Sequence, residues 1–113
     1  MDTTRMRTWA EIDLTALEHN YRTLRAMLPR ECRFLGLCKA NAYGHGAAVI
    51  GHTLERLGAD MLAVACVSEA EELRQSGVKL PILCLGETPE ELIPLLLELD
   101  VTQMVEDLET GRR

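Results

Sequence analysis

The sequence predicts an α/β fold with a parallel sheet, the first half of a TIM-type (β/α)8 barrel with about four βα units and an N-terminal helix. Three observations carry that expectation. Short apolar runs alternate with stretches of helical period, each repeat has the length of one strand-helix unit, and no low-complexity linker interrupts the series. Right-handed crossovers between parallel strands fit either an open doubly wound sheet or a barrel, and the barrel is preferred.

Each element follows in order. Residues 15–28 place Leu17, Tyr21, Leu24 and Leu28 along one helical stripe, closed by Pro29. The run "FLGLC", residues 34–38, reads as the first buried strand. Residues 46–57 then put Val49, Ile50, Thr53, Leu54 and Leu57 on one face of a helix, and 61–66 form the second strand. Ser68, followed three residues later by Glu71, has capping-box spacing and opens a helix over 69–75. The third strand is 82–85. Thr88 is expected to cap a helix over 89–99, with Pro89 in its first turn and Pro94 as a kink. The fourth strand, 101–105, is followed by "EDLETGRR", the opening of another helix. An eight-unit barrel needs about 250 residues, so a chain of 113 reads as a truncated piece of a larger protein. A self-contained small α/β domain is the alternative.

Composition narrows the function. No run approaches the roughly 20 apolar residues of a membrane span, and Asp2, Arg5, Arg7 and Glu11 occupy the stretch where a signal peptide is apolar. The expected location is the cytoplasm, with no membrane partner. Cys32, Cys38, Cys66 and Cys84 are widely spaced, without a C-x-x-C pair, and read as reduced thiols. A formal charge of −6 without a basic cluster gives no footprint for nucleic acid. A small molecule is the expected partner.

The chemistry-bearing stretch is "KANAYGHG", residues 39–46, directly after the first strand. In parallel α/β folds, sites gather at the carboxyl ends of the strands, where Lys39 falls. A strand-end lysine is commonly a solvated surface group, but at the mouth of an apolar barrel partial desolvation favours the amine that forms imines or takes protons. Tyr43, four residues on, can reach the same mouth. Gly44 and Gly46 permit close backbone approach or positive φ, while Val49 stands where a G-x-G-x-x-G fingerprint needs its last glycine. His45 and His52 have no acidic partner to complete a metal set, and no metal site is expected.

The same stretch resembles the pyridoxal-phosphate attachment motif of alanine racemases, matched without a gap. "TWAEIDLTALEHNYRTLR" resembles the opening strand and first helix of that family, and "LGADMLAVACVSEAEELRQSG" and "PILCLGETP" resemble its following segments. The resemblance implies a homodimer of two-domain subunits whose N-terminal barrel binds pyridoxal 5'-phosphate. Residues 13–113 would be part of that barrel, and residues 1–12 a strand segment that packs with a C-terminal β-domain. It implies that Lys39 forms the imine with the cofactor and serves as one of two acid/base groups at the substrate α-carbon. Tyr43 would hydrogen-bond the cofactor phosphate, and Leu85 would line the cofactor pocket. The second acid/base group, a tyrosine of the partner subunit, lies beyond Arg113, as do an arginine near the pyridine nitrogen and most of the phosphate-binding loops. The implied reaction interconverts L- and D-alanine and supplies D-alanine for peptidoglycan. A racemase for serine or another small amino acid, or a non-catalytic pyridoxal-phosphate-binding barrel protein, would share these motifs, and the 113 residues alone are expected to be inactive.

Overall fold

The computed structural model describes residues 7–113. The strand segment expected within 1–12 lies partly outside them, and residues 7–13 precede the first helix without joining a described strand ladder. The elements are α1 (Leu14–Ala26), β1 (Leu35–Leu37), a turn at Lys39–Tyr43, α2 (Ala47–Leu57), β2 (Met61–Val64), α3 (Val67–Gln75) and β3 (Ile82–Cys84). A 3-10 turn at Glu90–Leu92, α4 (Ile93–Glu98), β4 (Val101–Gln103) and α5 (Leu108–Gly111) complete the series. Among these helices none is long and apolar enough to cross a membrane.

The four strands form one parallel sheet in the order β1-β2-β3-β4. Sequential order is what a barrel wall requires, whereas a doubly wound sheet reverses direction at a switch point. Every strand is one or two residues shorter than its apolar run, because the ladder ends where the chain turns toward the next helix. Register places Leu62, Ile82 and Val101 side by side on one face, and Ala63, Leu83 and Thr102 on the other. The first face meets the helices. There Leu62, Val64, Ile82 and Cys84 pack with Leu73 of α3 and Ile50 and Leu54 of α2 into the main core.

Local chemistry sets the helix boundaries. Asp13 caps α1, its Oδ1 accepting from the Thr15 N–H at 2.9 Å and the Ala16 N–H at 3.1 Å. Tyr21 is buried edge-on against Phe34, with ring centroids 4.8 Å apart. The expected stripe fails beyond Tyr21. Leu24 is 53% exposed and Leu28 lies past the helix end, because only the first half of that stripe meets the core. On α2, Ile50, Thr53 and Leu54 are buried as expected, while Val49 is exposed, a step of about 100° away from Ile50 around the helix.

Two helix starts differ from the sequence reading. α3 begins at Val67, so Ser68 sits inside its first turn and does not cap it, and the glutamate in the third helical position is Glu69 instead of Glu71. In the next unit, Thr88 donates its hydroxyl to Gln103 Oε1 at 2.6 Å and caps nothing. A 3-10 turn separates it from α4, which restarts at Ile93, so Pro94 occupies the first turn, where its missing N–H leaves no bond broken, and does not kink a longer helix.

Candidate active site

The carboxyl end of β1 is extended by one bond, the Cys38 N–H donating to the Ala63 carbonyl at 2.8 Å. Lys39 follows, half-buried. The chain then enters a left-handed turn: Ala40, Asn41, Ala42 and Tyr43 have φ of 52°, 55°, 54° and 53°. Each such residue costs about 1–2 kcal/mol relative to right-handed backbone, so the turn persists only because its surroundings hold it.

Those surroundings are specific. The Ala42 N–H donates to the Cys38 carbonyl and the Gly46 N–H to the Asn41 carbonyl, both at 3.0 Å. Asn41 Oδ1 accepts from the Ala47 N–H at 2.8 Å, which ties the turn to the first residue of α2. Glu69 reaches across from α3, one carboxylate oxygen accepting from the Ala40 N–H at 2.8 Å and the other from the Ala65 N–H at 2.7 Å. Gly44, at φ 89°, lets the chain leave the turn in a conformation that a side chain would oppose.

The turn brings two of the expected site residues together. Lys39 Nζ lies 5.9 Å from the centroid of the Tyr43 ring, within cation–π range. Tyr43 is 63% exposed, leaving its hydroxyl open to a ligand. Leu85 is the residue after β3, held by its N–H donating to the Val64 carbonyl at 2.8 Å. It shares the carboxyl end of the sheet with Lys39 but stands two strands away, about 10 Å at ordinary strand spacing. Behind it, Gly86 packs so closely that a Cβ would lie 2.3 Å from the Ala65 carbonyl oxygen. Gln103 fixes this corner, donating to the Gly86 carbonyl at 2.7 Å.

The neighbouring thiols are not nucleophiles. Burial pushes the Cys38 thiol up to about 11 and raises that of Cys84 as well, so both stay protonated near neutral pH. His45 and His52 bond backbone carbonyls, Nδ1 of His45 that of Ala42 and Nε2 of His52 that of Ser76. The residues that hold the turn and that sequence reasoning missed are Asn41 and Glu69. Asn41 lies inside the motif and is a residue type that tolerates positive φ. Glu69 follows Cys66 by three residues, the spacing of a glutamate that reaches back over a helix start.

Residues 12–113 match the family model described as "Alanine racemase, N-terminal domain". An alanine racemase from Desulfovibrio desulfuricans is 41% identical over 97 residues, which are 86% of this chain and 26% of that protein. An alanine racemase structure from Clostridium difficile 630 superposes with a TM-score of 0.93 at 41% identity, covering 96% of this chain and 29% of that one. The crystal structure of alanine racemase from Bacillus anthracis with bound L-Ala-P gives a TM-score of 0.88 at 35% identity, covering 93% of this chain and 27% of that one. The chain thus spans little more than a quarter of the length of these relatives. With its parallel sheet in barrel order and a lysine-tyrosine pair at the mouth, the chain belongs to the alanine racemase N-terminal domain family.

Proposed function

We propose that this chain is the lysine-bearing part of a racemase that interconverts L- and D-alanine with pyridoxal 5'-phosphate. The observation that carries the reading is the left-handed turn, which sets the Lys39 amine beside the Tyr43 ring at the carboxyl end of β1. The donor set fits the cofactor: a primary amine for its aldehyde, an exposed phenol for its phosphate, and the apolar Leu85 on the same rim for its ring. When bound, pyridoxal phosphate supplies an electron sink for the charge left on the substrate α-carbon as its proton departs.

The chain's own residues divide the remaining work. Lys39 would hold the cofactor, and its Nζ would accept or return the substrate α-proton on one face. Tyr43 would donate its hydroxyl to the phosphate. Leu85 would line the pocket beside the ring and exclude water from that side. One lysine serves one face only, so inversion requires a second acid/base group, in this reading a tyrosine of the partner subunit in a homodimer. Residues 1–12 would then supply a strand to the C-terminal β-domain. The product, D-alanine, would serve peptidoglycan synthesis in the cytoplasm.

Borohydride reduction of the cofactor-loaded full-length protein, followed by peptide mapping, tests the attachment. Label is expected on Lys39. The chain's other lysine, Lys79, lies before β3 at the opposite end of the sheet, so label there would overturn the reading. In Lys39→Ala supplied with an external amine, α-deuterium exchange should fall by about 10²–10⁴-fold for one alanine enantiomer and far less for the other. Equal loss for both would remove the one-face role of Lys39.

A further inference from the structure

Three carboxylates in this fold hold backbone N–H groups that the sheet leaves unpaired. At the amino end of the strands, Asp60 Oδ2 accepts from the Phe34 N–H at 2.6 Å, and Glu55 Oε2 accepts from the N–H groups of Lys79 and Leu80 at 2.8 and 2.9 Å. At the carboxyl end there is Glu69. A glutamate in the third position of a helix ordinarily reaches back to the N–H of the capping residue, which here would be Cys66. Glu69 instead passes over it. One oxygen takes the Ala65 N–H at 2.7 Å, and the other crosses 29 residues of sequence to take the Ala40 N–H at 2.8 Å.

Ala40 is both the residue bonded to Lys39 and the first residue of the left-handed turn. Its N–H belongs to the peptide group formed with the Lys39 carbonyl, so fixing that N–H fixes the orientation of the plane from which the Lys39 side chain departs. The second oxygen ties the same carboxylate to the chain leaving β2, the strand beside β1. A single rigid group therefore refers the lysine's peptide to the sheet, where an intrinsically unfavourable run of backbone begins. A cap that reached back to the Cys66 N–H would need neither of these two bonds.

We propose that Glu69 is the positioning residue for Lys39, holding the Ala40 peptide so that the lysine amine addresses the reacting carbon. The proposal rests on the site reading given above and deepens it. Glu69→Gln keeps the shape but turns an NH2 donor toward one of the two backbone donors. Glu69→Asp keeps the charge but is too short to span both. Glu55→Gln is the matched control, since it disturbs two backbone bonds of the same kind at the far end of the sheet.

The experiment compares these three variants of the full-length, cofactor-loaded protein by steady-state kinetics, by amide-resolved hydrogen exchange and by borohydride labelling. For Glu69→Gln and Glu69→Asp, kcat for alanine should fall by about 10–100-fold while KM stays within about threefold. The Ala40 amide should exchange at least about tenfold faster in one or both. Glu55→Gln should lose stability while keeping kcat within about twofold. The proposal is overturned if kcat in the Glu69 variants stays near wild type or falls no further than in Glu55→Gln, or if Ala40 exchange is unchanged in both. Failure of both Glu69 variants to fold while Glu55→Gln folds would also overturn it, reducing Glu69 to a structural cap. Failure of wild type to take label on Lys39 would instead sink the site reading itself.

Discussion

Cys38 and Lys39 are adjacent, yet their side chains meet opposite environments. Cys38 is fully buried among the helix-facing core residues, and Lys39 emerges half-exposed at the rim. This alternation is the two-residue period of a strand carried one step past the ladder. It keeps an inert thiol behind the Lys39 amine. The thiol has a measurable consequence for stability. Burial raises Cys38 from 9.0 to about 11, so between those values the folded protein holds a proton that the unfolded chain has released. Folding stability from this group is therefore complete below pH 9.0 and is lost as pH rises toward about 11. Cys84 acts in the same direction. Urea denaturation of wild type should show a falling midpoint across this window. The decline should be smaller in Cys38→Ala, after correction for the cavity, and an equal decline in both would show that the fall arises elsewhere.

Among the elements, the β3 corner shows how a glycine serves the site without touching it. A methyl group on Gly86 would meet the Ala65 carbonyl oxygen at 2.3 Å, and this obstacle is backbone, so no rotamer change relieves it. Gly86→Ala should destabilise the fold by about 1–3 kcal/mol and displace the neighbouring Leu85, weakening cofactor retention relative to wild type. Full stability with unchanged retention would show that the corner relaxes freely. The strands were legible in the sequence because each is a short apolar run bounded by turn residues, and register then follows from sequential pairing. The start of α3 was not. Ser68 with Glu71 and Cys66 with Glu69 present the same spacing in overlapping frames, and only packing selects the second. Pro94 was equally ambiguous, since a proline five residues after Pro89 is either a kink or a fresh helix start. Lys39, Tyr43 and Leu85 were singled out through a family resemblance. The left-handed turn that joins the first two was not, because alanine and tyrosine carry no preference for positive φ. It is held by the Asn41 side chain, by Glu69 from a neighbouring helix and by the glycine that follows.

At the scale of the whole molecule, the helices cover one face of the sheet and leave the other bare. The radius of gyration is 15.9 Å, against about 13 Å for a compact chain of this length, and the extents of 49 × 42 × 21 Å describe a slab. On the bare face Leu35 and Leu37 are 43% and 39% exposed. Among the described residues, β1 pairs only with β2 and β4 only with β3, so each presents an unpaired strand edge. Open edges beside an apolar face favour pairing with another chain. Within a barrel, both liabilities vanish at once: the edges find neighbours and the bare face becomes the interior. The 113 residues expressed by themselves should therefore associate, and they should show no measurable alanine racemisation, since the second acid/base group and most of the phosphate cradle are supplied elsewhere in the proposed enzyme. Light scattering across a dilution series, run beside a racemisation assay, checks both halves of the expectation. Association that weakens on dilution would fit exposed edges and an apolar face. A cooperatively folding monomer at all concentrations would mean that the sheet tolerates its bare face, and activity in that monomer would mean that Lys39 and Tyr43 need no partner for inversion.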